Sequence, residues 1–544
     1  MRAAAVAALV AVTLGVAVNE VAGASNYLAT CYYGTWAVYR PGDGKFDVED
    51  FDPMLCTHGI YGFAGLDEAT HKIKSLDPWN DLYDNYGKGA YMRFTDLKKR
   101  NPELKTLLGI GGWNEGSTKY SEMAASASSR QTFIASVVDF LKTYNFDGLD
   151  LDWEYPAERG GKTIDKASDI GSCSIYTTAG QGTENEGSER LLATEKERIL
   201  HRPPSCGKNI TQKATAQGIC GTLLEDYVQL IKEIKEAFKP EGFLLTAAVG
   251  PGKTTIDDSY KLTEMAKYLD IFNVMAYDYH GSWETYTGHV SPPYMSPLDI
   301  TNEMETFNVN FTVNYYLDGG VPKEKMAMGI PLYGHGFTLN DPAVHGLYAP
   351  ANQPQPACPY TRQAGICGFN EICTMLNEGG WTTVRDPDQQ AVYSYKDRIW
   401  VGYDDLESVK IKTDYIKSLG LAGSMVWSVE TDDFRGLCGF GTKNPLMTAI
   451  WTNLNGDIPT PVPHTTTPRP TGPTASPEPT MSPTEICKKA GLNPNPVKKC
   501  SPIFYDCVQN GDHWIVTMEV CAAGTVFDGS LDTCVWISQS DECD

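Results

Sequence analysis

Three carboxylates follow one another at every second position of a short apolar segment. They are Asp150, Asp152 and Glu154, and the positions between them hold Leu151 and Trp153. Because side chains alternate across a strand, the pattern predicts a strand with one acidic face and one apolar face. The apolar face needs a packed partner, so the acidic row is expected to face a confined polar space. Adjacent like charges cannot all ionise there, and a carboxyl that keeps its proton near neutral pH can serve as a general acid.

Two simpler interpretations of this segment are disfavoured. A calcium loop of the EF-hand type needs a Gly soon after its third acidic ligand and a Glu further on, whereas Tyr155 follows Glu154. A solvated surface strand would not surround its carboxylates with residues such as Leu149 and Trp153. Asp147 is out of phase with the other three carboxylates and is predicted to have a structural role. No bound metal is expected.

Eight apolar segments have the length and composition of strands. They span residues 27–33, 57–63, 105–110, 146–152, 243–249, 271–277, 326–332 and 421–427. Helical patterns lie between several of them, most clearly from Leu223 to Phe238. The alternation predicts an α/β fold with a parallel sheet, and eight such units predict a TIM (β/α)8 barrel. In that fold the carboxyl ends of the strands carry the chemistry, and Glu154, Asp278 and Trp427 all lie at such ends.

Two long segments interrupt this alternation. Residues 334–404 are rich in Tyr, Gly and Cys and too long for a simple connection, and Tyr393 to Tyr403 has the pattern of strands. Residues 167–221 are polar, rich in Gly and Thr, and without clear periodicity. For this second segment two interpretations stay open: an added loop at the mouth of a cleft, or an error in the coding sequence such as an intron translated in frame.

The two ends of the chain differ in composition from its middle. Residues 1–24 combine a basic start, an apolar stretch and small residues, which predicts a cleaved secretory signal. No later segment is apolar enough to cross a bilayer. Residues 457–485 consist mostly of Pro, Thr and Ser and predict an extended linker between a domain at 25–456 and a module at 486–544. We expect a secreted, extracellular protein that is a monomer.

Cysteine usage supports an exported chain. Fifteen cysteines argue for disulfides rather than metal ligation in that setting. Six of them lie between residues 486 and 544, which predicts a small disulfide-rich β module, and the sequence alone leaves about fifteen connectivities open for six cysteines. Because the total is odd, one thiol lacks a partner, and Cys173, Cys206 and Cys220 in residues 167–221 account for this.

The charge of the chain limits its partners. The formal net charge is −23, whereas nucleic acids and anionic membrane surfaces both attract basic patches. We therefore expect neither as a partner. A neutral polysaccharide is compatible with this charge, which also favours solubility.

Six motifs together resemble glycoside hydrolase family 18, the chitinases. Residues 147–154 have the family pattern D-G-x-D-x-D-x-E. The others occur in the family's order and span Cys31–Trp36, Tyr61–Phe63, Gly109–Asn114, Met275–Glu284 and Gly423–Ser428. The six-cysteine tail resembles the peritrophin-A type of chitin-binding domain. The family resemblance also implies that residues 334–404 form an α+β insertion subdomain, which builds one wall of the cleft.

The resemblance implies how the carboxyls would act. β-1,4-linked N-acetylglucosamine would be cleaved with retention of configuration, with the 2-acetamido oxygen of the substrate as the nucleophile and no cofactor. Glu154 would protonate the glycosidic oxygen and later activate water, and Asp152 would orient the acetamide. Asp150 would share a proton with Asp152 and so help to keep Glu154 protonated. Tyr277, followed by Asp278, would hold the acetamide oxygen in place.

The same resemblance assigns residues that contact sugar, since flat rings suit the apolar face of a sugar. They are Tyr32, Trp36, Trp113, Asn114, Met275, Trp283, Tyr333 and Trp427 in the barrel, and Tyr505, Trp514 and Trp536 in the module. Trp427 would form the floor beneath the distorted sugar, whereas Phe63 is assigned to the core. The implied disulfides are Cys31–Cys56, Cys373–Cys438, Cys487–Cys507, Cys500–Cys543 and Cys521–Cys534, and Cys358 with Cys367 would close a local loop.

One residue departs from the family pattern. His335 follows Tyr333 and Gly334 where family members commonly carry Arg. Imidazole lacks the fixed fork of donors of arginine and titrates near neutral pH, so the grip on substrate is expected to be weaker or pH-dependent on that side.

The expected function is that of a secreted endochitinase, with chitin and chito-oligosaccharides as partners. A chitinase-like lectin would keep the cleft and lose the acid, and Glu154 argues against it. An endo-β-N-acetylglucosaminidase acting on N-glycans is disfavoured by the C-terminal module.

Overall fold

The computed structural model describes residues 27–84, 87–159 and 226–461, and, between 487 and 536, five strands with a few neighbouring residues. The predicted signal, the segment 167–221 and most of the predicted linker lie outside the described residues. The chain divides into two compact units, Met1–His464 and Thr465–Asp544. Among the described residues, no helix combines the length and the apolar character needed to cross a membrane.

The described strands of the first unit include all eight segments predicted from the sequence. In chain order they are β1 (Leu28–Gly34), β2 (His58–Asp67), β3 (Lys72–Ser75), β4 (Lys105–Gly111), β5 (Gly148–Asp152), β6 (Leu244–Val249), β7 (Ile271–Val274), β8 (Met326–Pro331), β9 (Tyr333–Thr338), β10 (Gln353–Pro354), β11 (Ile366–Gly368), β12 (Thr382–Arg385), β13 (Val392–Lys396), β14 (Ile399–Tyr403) and β15 (Gly423–Trp427).

Eight of these strands form a closed parallel barrel. Their order around the sheet is β1-β15-β8-β7-β6-β5-β4-β2, and β1 also pairs with β2, which closes the ring. Strand β3 adds to the outer edge of β2 in antiparallel register. The predicted TIM barrel is thus confirmed.

Helices lie between the strands of the first unit. Those described are α1 (Pro78–Asp81), α2 (Ala90–Thr95), α3 (Thr118–Ala124), α4 (Ala127–Tyr144), α5 (Asp226–Phe238), α6 (Lys253–Ser259), α7 (Leu262–Met265), α8 (Val309–Asp318), α9 (Phe369–Asn377), α10 (Leu406–Leu419) and α11 (Pro445–Asn455). Local sequence sets their ends. Helix α10, for example, begins where Asp405 Oδ1 accepts a hydrogen bond from the Ser408 amide (2.8 Å) and ends at Gly420, whose φ of 65° suits a left-handed cap.

Two separate cores follow from the alternation of side chains along the barrel strands. One lies inside the barrel and includes Tyr32, Ile60, Leu107 and Met425. The other lies between the outer face of the strands and the helices. Because successive residues of a strand belong to different cores, the polar residues that alternate with apolar ones on β5 point into the barrel.

An antiparallel sheet is inserted between β8 and β15. Its strand order is β10-β9-β14-β13-β12, with β11 also paired to β9 and helix α9 directly after β11. This is the α+β insertion that the family resemblance implied. Disulfides Cys31–Cys56, Cys358–Cys367 and Cys373–Cys438 are present in the first unit.

The second unit contains two small antiparallel sheets. Strands β16 (Gly491–Pro494), β17 (Ile503–Asn510) and β18 (His513–Val520) form one, and β19 (Thr525–Asp528) pairs with β20 (Thr533–Trp536) in the other. Disulfide Cys487–Cys507 links the start of the module to β17. Cys500, Cys521 and Cys543 lie outside the described residues, so the two other expected pairs stay predictions.

Asp147 joins neighbouring strands at the amino end of the barrel. Its Oδ2 accepts hydrogen bonds from the backbone amide (2.7 Å) and hydroxyl (3.0 Å) of Thr106 on β4, and it pairs with Lys98 at 2.9 Å. This is the structural role predicted from its phase. Asp270 repeats the arrangement, because its Oδ2 accepts from the Leu245 amide (2.8 Å) on β6 and pairs with Lys235.

We predict that Asp147→Ala lowers the free energy of unfolding by about 1–3 kcal/mol, because two hydrogen bonds and an ion pair to one carboxylate are lost. Asp139→Ala, at an exposed position of α4, is the matched control. Chemical denaturation of both variants checks the prediction. It is wrong if the two variants are equally stable.

Candidate active site

Asp150 lies fully buried inside the barrel and is surrounded by donors. Its Oδ2 accepts a hydrogen bond from the Tyr32 hydroxyl (2.6 Å), and its Oδ1 accepts from Thr246 Oγ1 (2.5 Å) and Asn273 Nδ2 (3.0 Å). Burial raises the pKa of Asp150, and these three hydrogen bonds act in the opposite direction. The carboxyl is therefore held in one orientation by strands β1, β6 and β7.

Asp152 has a different environment one step further along β5. The residue is 3% exposed, and its Oδ1 is a buried acceptor with no hydrogen-bond partner among the described residues. Burial raises its pKa well above the usual range, and the charges of Glu154 and Asp150 raise it further. An unfilled acceptor at this depth is available to a ligand donor. The sharing of a proton between Asp150 and Asp152 stays a prediction.

Glu154 follows the end of β5 and is half-buried. Its pKa is raised to about 7, chiefly by burial, with Arg159 lowering it and Asp278 raising it. The sequence predicts that acidic neighbours below Glu154 hold this proton. In the structure burial is the largest cause of the raised pKa, and the charge of Asp278 adds to it.

A second cluster lies after β7. Tyr277 is buried, and its hydroxyl lies 3.6 Å from Met425 Sδ. The side chain of Asp278 is half exposed, and its Oδ1 accepts from the Tyr333 hydroxyl (2.5 Å) and contacts His335 Nε2 (2.8 Å). The carboxylate that follows barrel strand β7 is therefore held by two side chains of β9, which belongs to the inserted sheet.

The expected sugar-binding residues divide into exposed and buried groups. Trp36, Trp113, Asn114 and Trp283 are exposed, and Trp427 is half-buried. Tyr333 and Met275, by contrast, are almost fully buried, at 6% and 8% exposure.

Tyr32 does not line the cleft as expected. The residue is 1% exposed and its hydroxyl is occupied by Asp150, so we correct its assignment from a sugar contact to a support of that carboxyl.

Phe63 was assigned to the core, and the structure corrects this as well. Its ring is half-buried and packs in a three-ring cluster with two tryptophans. It stacks on Trp427 with ring centroids 5.9 Å apart and on Trp36 with centroids 6.4 Å apart, and the two tryptophan centroids are themselves 6.1 Å apart. The cluster joins β2 to the carboxyl ends of β1 and β15.

Glu430 is a residue of the site that sequence reasoning missed. It is fully buried, accepts hydrogen bonds from the Gly34 amide (3.0 Å) and Ser428 Oγ (2.6 Å), and forms an ion pair with Arg40. It thereby joins the turn that carries Trp36 to the turn that follows Trp427. A single Glu in a loop has no periodic signal that could have revealed this.

Among the described residues, no group of three or more His, Cys, Asp or Glu side chains is arranged to hold a metal ion.

The comparisons with known proteins agree with this geometry. The model of the family described as glycosyl hydrolases family 18 matches residues 29–432. The chain belongs to glycosyl hydrolases family 18. A second family model, the chitin binding Peritrophin-A domain, matches residues 487–543.

Relatives within family 18 cover most of the chain. "Probable chitinase 2" of Drosophila melanogaster is 39% identical over 421 residues, which are 76% of this chain and 73% of the relative. The crystal structure of Ostrinia furnacalis Group IV chitinase in complex with allosamidin has a TM-score of 0.65 at 38% identity, over 78% of this chain and 98% of that chain. Human YKL-39, described as a pseudo-chitinase with retained chitooligosaccharide binding, has a TM-score of 0.63 at 34% identity, over 79% of this chain and 99% of that chain.

These findings identify the protein as a hydrolase of the chitinase family with a chitin-binding module. In the module, Tyr505 lies on β17 and its side chain is half-buried. Trp514 and Trp536 lie on β18 and β20, and the described part of the structure does not include their side chains.

His335, the residue that departs from the family pattern, is buried. Each of its ring nitrogens contacts one oxygen acceptor. Its Nδ1 lies 3.2 Å from the Gly365 carbonyl oxygen, and its Nε2 lies 2.8 Å from Asp278 Oδ1. Each nitrogen must carry a hydrogen for both contacts to be hydrogen bonds, so one contact is lost when the imidazole is neutral.

We predict that His335→Arg lowers the KM for chito-oligosaccharides, because the fixed fork of guanidinium donors can hold more acceptors than an imidazole can. Michaelis constants of the variant and of the wild type in the same buffer check the prediction. An unchanged KM would contradict it.

Proposed function

We propose that the protein is a secreted endochitinase, which hydrolyses β-1,4-linked N-acetylglucosamine polymers with retention of configuration by substrate-assisted catalysis. The observation that carries the proposal is the pair formed by Glu154 and Asp152. Glu154 has a pKa raised to about 7 and is half-buried at the end of β5. Asp152, two residues before it, presents a buried oxygen with no partner among the described residues. One group can donate a proton and the other can accept an N–H.

The first step needs a proton for the departing sugar. Glu154 is half protonated near pH 7 and donates to the glycosidic oxygen. As the bond breaks, the 2-acetamido oxygen of the substrate attacks the anomeric carbon, so the protein supplies no nucleophile. Glu154, now ionised, then takes a proton from water, which opens the cyclic intermediate with net retention.

Asp152 and Tyr277 position the acetamide for this attack. The free Oδ1 of Asp152 accepts the acetamide N–H and stabilises the positive charge that develops on the ring of the intermediate. The Tyr277 hydroxyl holds the acetamide oxygen near the anomeric carbon. Asp150, fixed by its three donors, shares a proton with Asp152 and so lets Asp152 carry the negative charge that faces this positive charge.

The aromatic residues hold the polymer. Trp427 forms the floor beneath the reacting sugar, and Phe63 and Trp36 pack against it in one aromatic cluster. Exposed Trp36, Trp113 and Trp283 offer further stacking surfaces.

The C-terminal module raises the local concentration of the enzyme on insoluble polymer. The match of residues 487–543 to a chitin-binding domain supports this role.

Four disulfides among the described residues and the expected signal at 1–24 support export and an extracellular place of action. We propose that the enzyme acts as a monomer, since one chain supplies every residue invoked above.

We predict that Glu154→Gln lowers kcat on chito-oligosaccharides by at least about 10²- to 10⁴-fold, because the amide cannot donate an acid proton. In the wild type, kcat/KM should fall above about pH 7, since Glu154 loses the proton it must donate as pH rises through its raised pKa. Glu68→Gln, at an exposed position, is the matched control.

Product analysis by NMR decides the mechanism. Retention requires the β-anomer as the first product, and an initial α-anomer would refute substrate-assisted catalysis. A chitinase-like lectin would bind the same oligomers and release nothing from them. Release only from N-glycans would favour the endo-β-N-acetylglucosaminidase.

We predict that Trp514→Ala in the full chain lowers hydrolysis of insoluble chitin by about tenfold or more, because the tethered module no longer concentrates the enzyme on the surface. Turnover of a soluble oligomer should stay the same and serves as the control within each variant. Pull-down on chitin particles measures the binding directly. Equal loss on both substrates would contradict a role confined to the module.

A further inference from the structure

Arg159 lies in the turn after the catalytic strand, a turn that is fixed at several points. Ser117 Oγ donates to the Tyr155 carbonyl oxygen (2.7 Å), and Ser259 Oγ donates to the Pro156 carbonyl oxygen (2.6 Å). Ala157 and Arg159 have φ angles of 68° and 50°, in the left-handed region that residues with a Cβ seldom adopt. The two hydrogen bonds and the two left-handed residues direct the Arg159 side chain toward the carboxyl end of β5.

The guanidinium of Arg159 covers one face of Trp113. Its Cζ lies 3.4 Å from the centroid of the indole, and its Nη2 donates to the main-chain carbonyl oxygen of the same residue at 2.7 Å. Ring and backbone of Trp113 are thus held by one planar group. The indole is otherwise 59% exposed.

An exposed tryptophan has to be held in one orientation before it can bind a sugar well. The ordering of a free side chain on binding costs affinity, and a cation stacked on the ring removes part of this cost beforehand. Among the described residues Arg159 covers one indole face and Trp113 stays largely exposed, which leaves ring surface for the apolar side of a sugar. We propose that Arg159 is a positioning residue of the cleft, which holds Trp113 as a platform for the substrate chain. This rests on the function proposed above.

Arg159 also contacts the catalytic strand itself. Its Nη1 donates to the Glu154 carbonyl oxygen at 3.0 Å, which brings a fixed positive charge close to the acid. In the part of the chain that the structure describes, two carboxyls and four phenols also interact with Glu154, namely Asp152, Asp278, Tyr155, Tyr260, Tyr277 and Tyr333.

Because the charge of Arg159 lies close to Glu154, a change at Arg159 should alter the pH profile of the enzyme. A purely structural role of Arg159 would leave that profile unchanged. Burial raises the pKa of Glu154 most, and Arg159 is the charge that lowers it. If Arg159 is replaced by a neutral residue, the pKa of Glu154 rises, and the protonated acid persists to higher pH. The basic limb of the kcat/KM profile should then shift upward in pH.

Two substitutions separate the roles of the charge and of the planar fork. Arg159→Gln removes the charge and the stack, and Arg159→Lys keeps the charge but loses the planar fork. For both, we expect KM on a chito-oligosaccharide to rise by about two- to fivefold, the range that an exposed stacked cation accounts for. The basic limb should shift to higher pH in Arg159→Gln and stay in place in Arg159→Lys. Arg398→Gln, an exposed arginine in the turn between β13 and β14, is the matched control and should behave as wild type.

The same substitutions in the Glu154→Gln background test the platform without catalysis. Titration calorimetry with a chito-oligosaccharide should give a Kd about two- to fivefold higher when Arg159 is also changed. This measurement holds even if the wild type proves to be a lectin, so failure of the proposed function and failure of the Arg159 proposal are distinguishable.

The proposal is overturned if KM and Kd are unchanged in both variants. It is equally overturned if they fall, because Arg159 would then cover the face that the sugar needs. A basic limb that moves alike in the Gln and Lys variants would show that the charge of Arg159 does not act on Glu154.

Discussion

The desolvation of the carboxyl row on β5 is the constraint on which the site depends. An isolated ionised carboxylate inside a barrel is costly, so each of these groups must find donors, keep its proton, or reach water. Each of the three solves this differently. Asp150 has three donors, Asp152 has a raised pKa and a free acceptor, and Glu154 reaches the edge of the cleft with a pKa near neutrality.

Closure of the barrel supplies the donors to Asp150. Tyr32, Thr246 and Asn273 stand 118, 96 and 123 residues away in sequence, and only the parallel order of β1, β5, β6 and β7 brings them together. The orientation of the deepest carboxyl is therefore a property of the complete fold. Asp152 and Glu154 follow Asp150 at every second residue, so the position of Asp150 also sets theirs.

The parts of the structure that sequence could predict are those set locally. Strand positions followed from short apolar runs, and Asp147 was recognised as structural from its phase alone. The errors concern contacts between distant segments. Tyr32 is buried with its hydroxyl on Asp150, and Phe63 packs against Trp36 and Trp427 instead of lying in the core, and neither fact is encoded in the neighbouring residues.

Contacts between distant segments also stabilise strained backbone just after the barrel strands. Asp278 has a φ of 59°, and Ala157 and Arg159 have similar values, each at a cost of about 1 kcal/mol or more. Hydrogen bonds from other elements compensate for this cost, among them the Tyr333 hydroxyl on Asp278 and Ser259 Oγ on the Pro156 carbonyl oxygen. The left-handed residues turn the chain sharply just after β5 and β7, so that Arg159 and Asp278 reach back over the cleft instead of continuing outward to the helices. At Asp278 and Arg159 this conformation places charged side chains that act on the pKa of Glu154, and the scaffold that fixes the inner carboxyls also holds these outer charges.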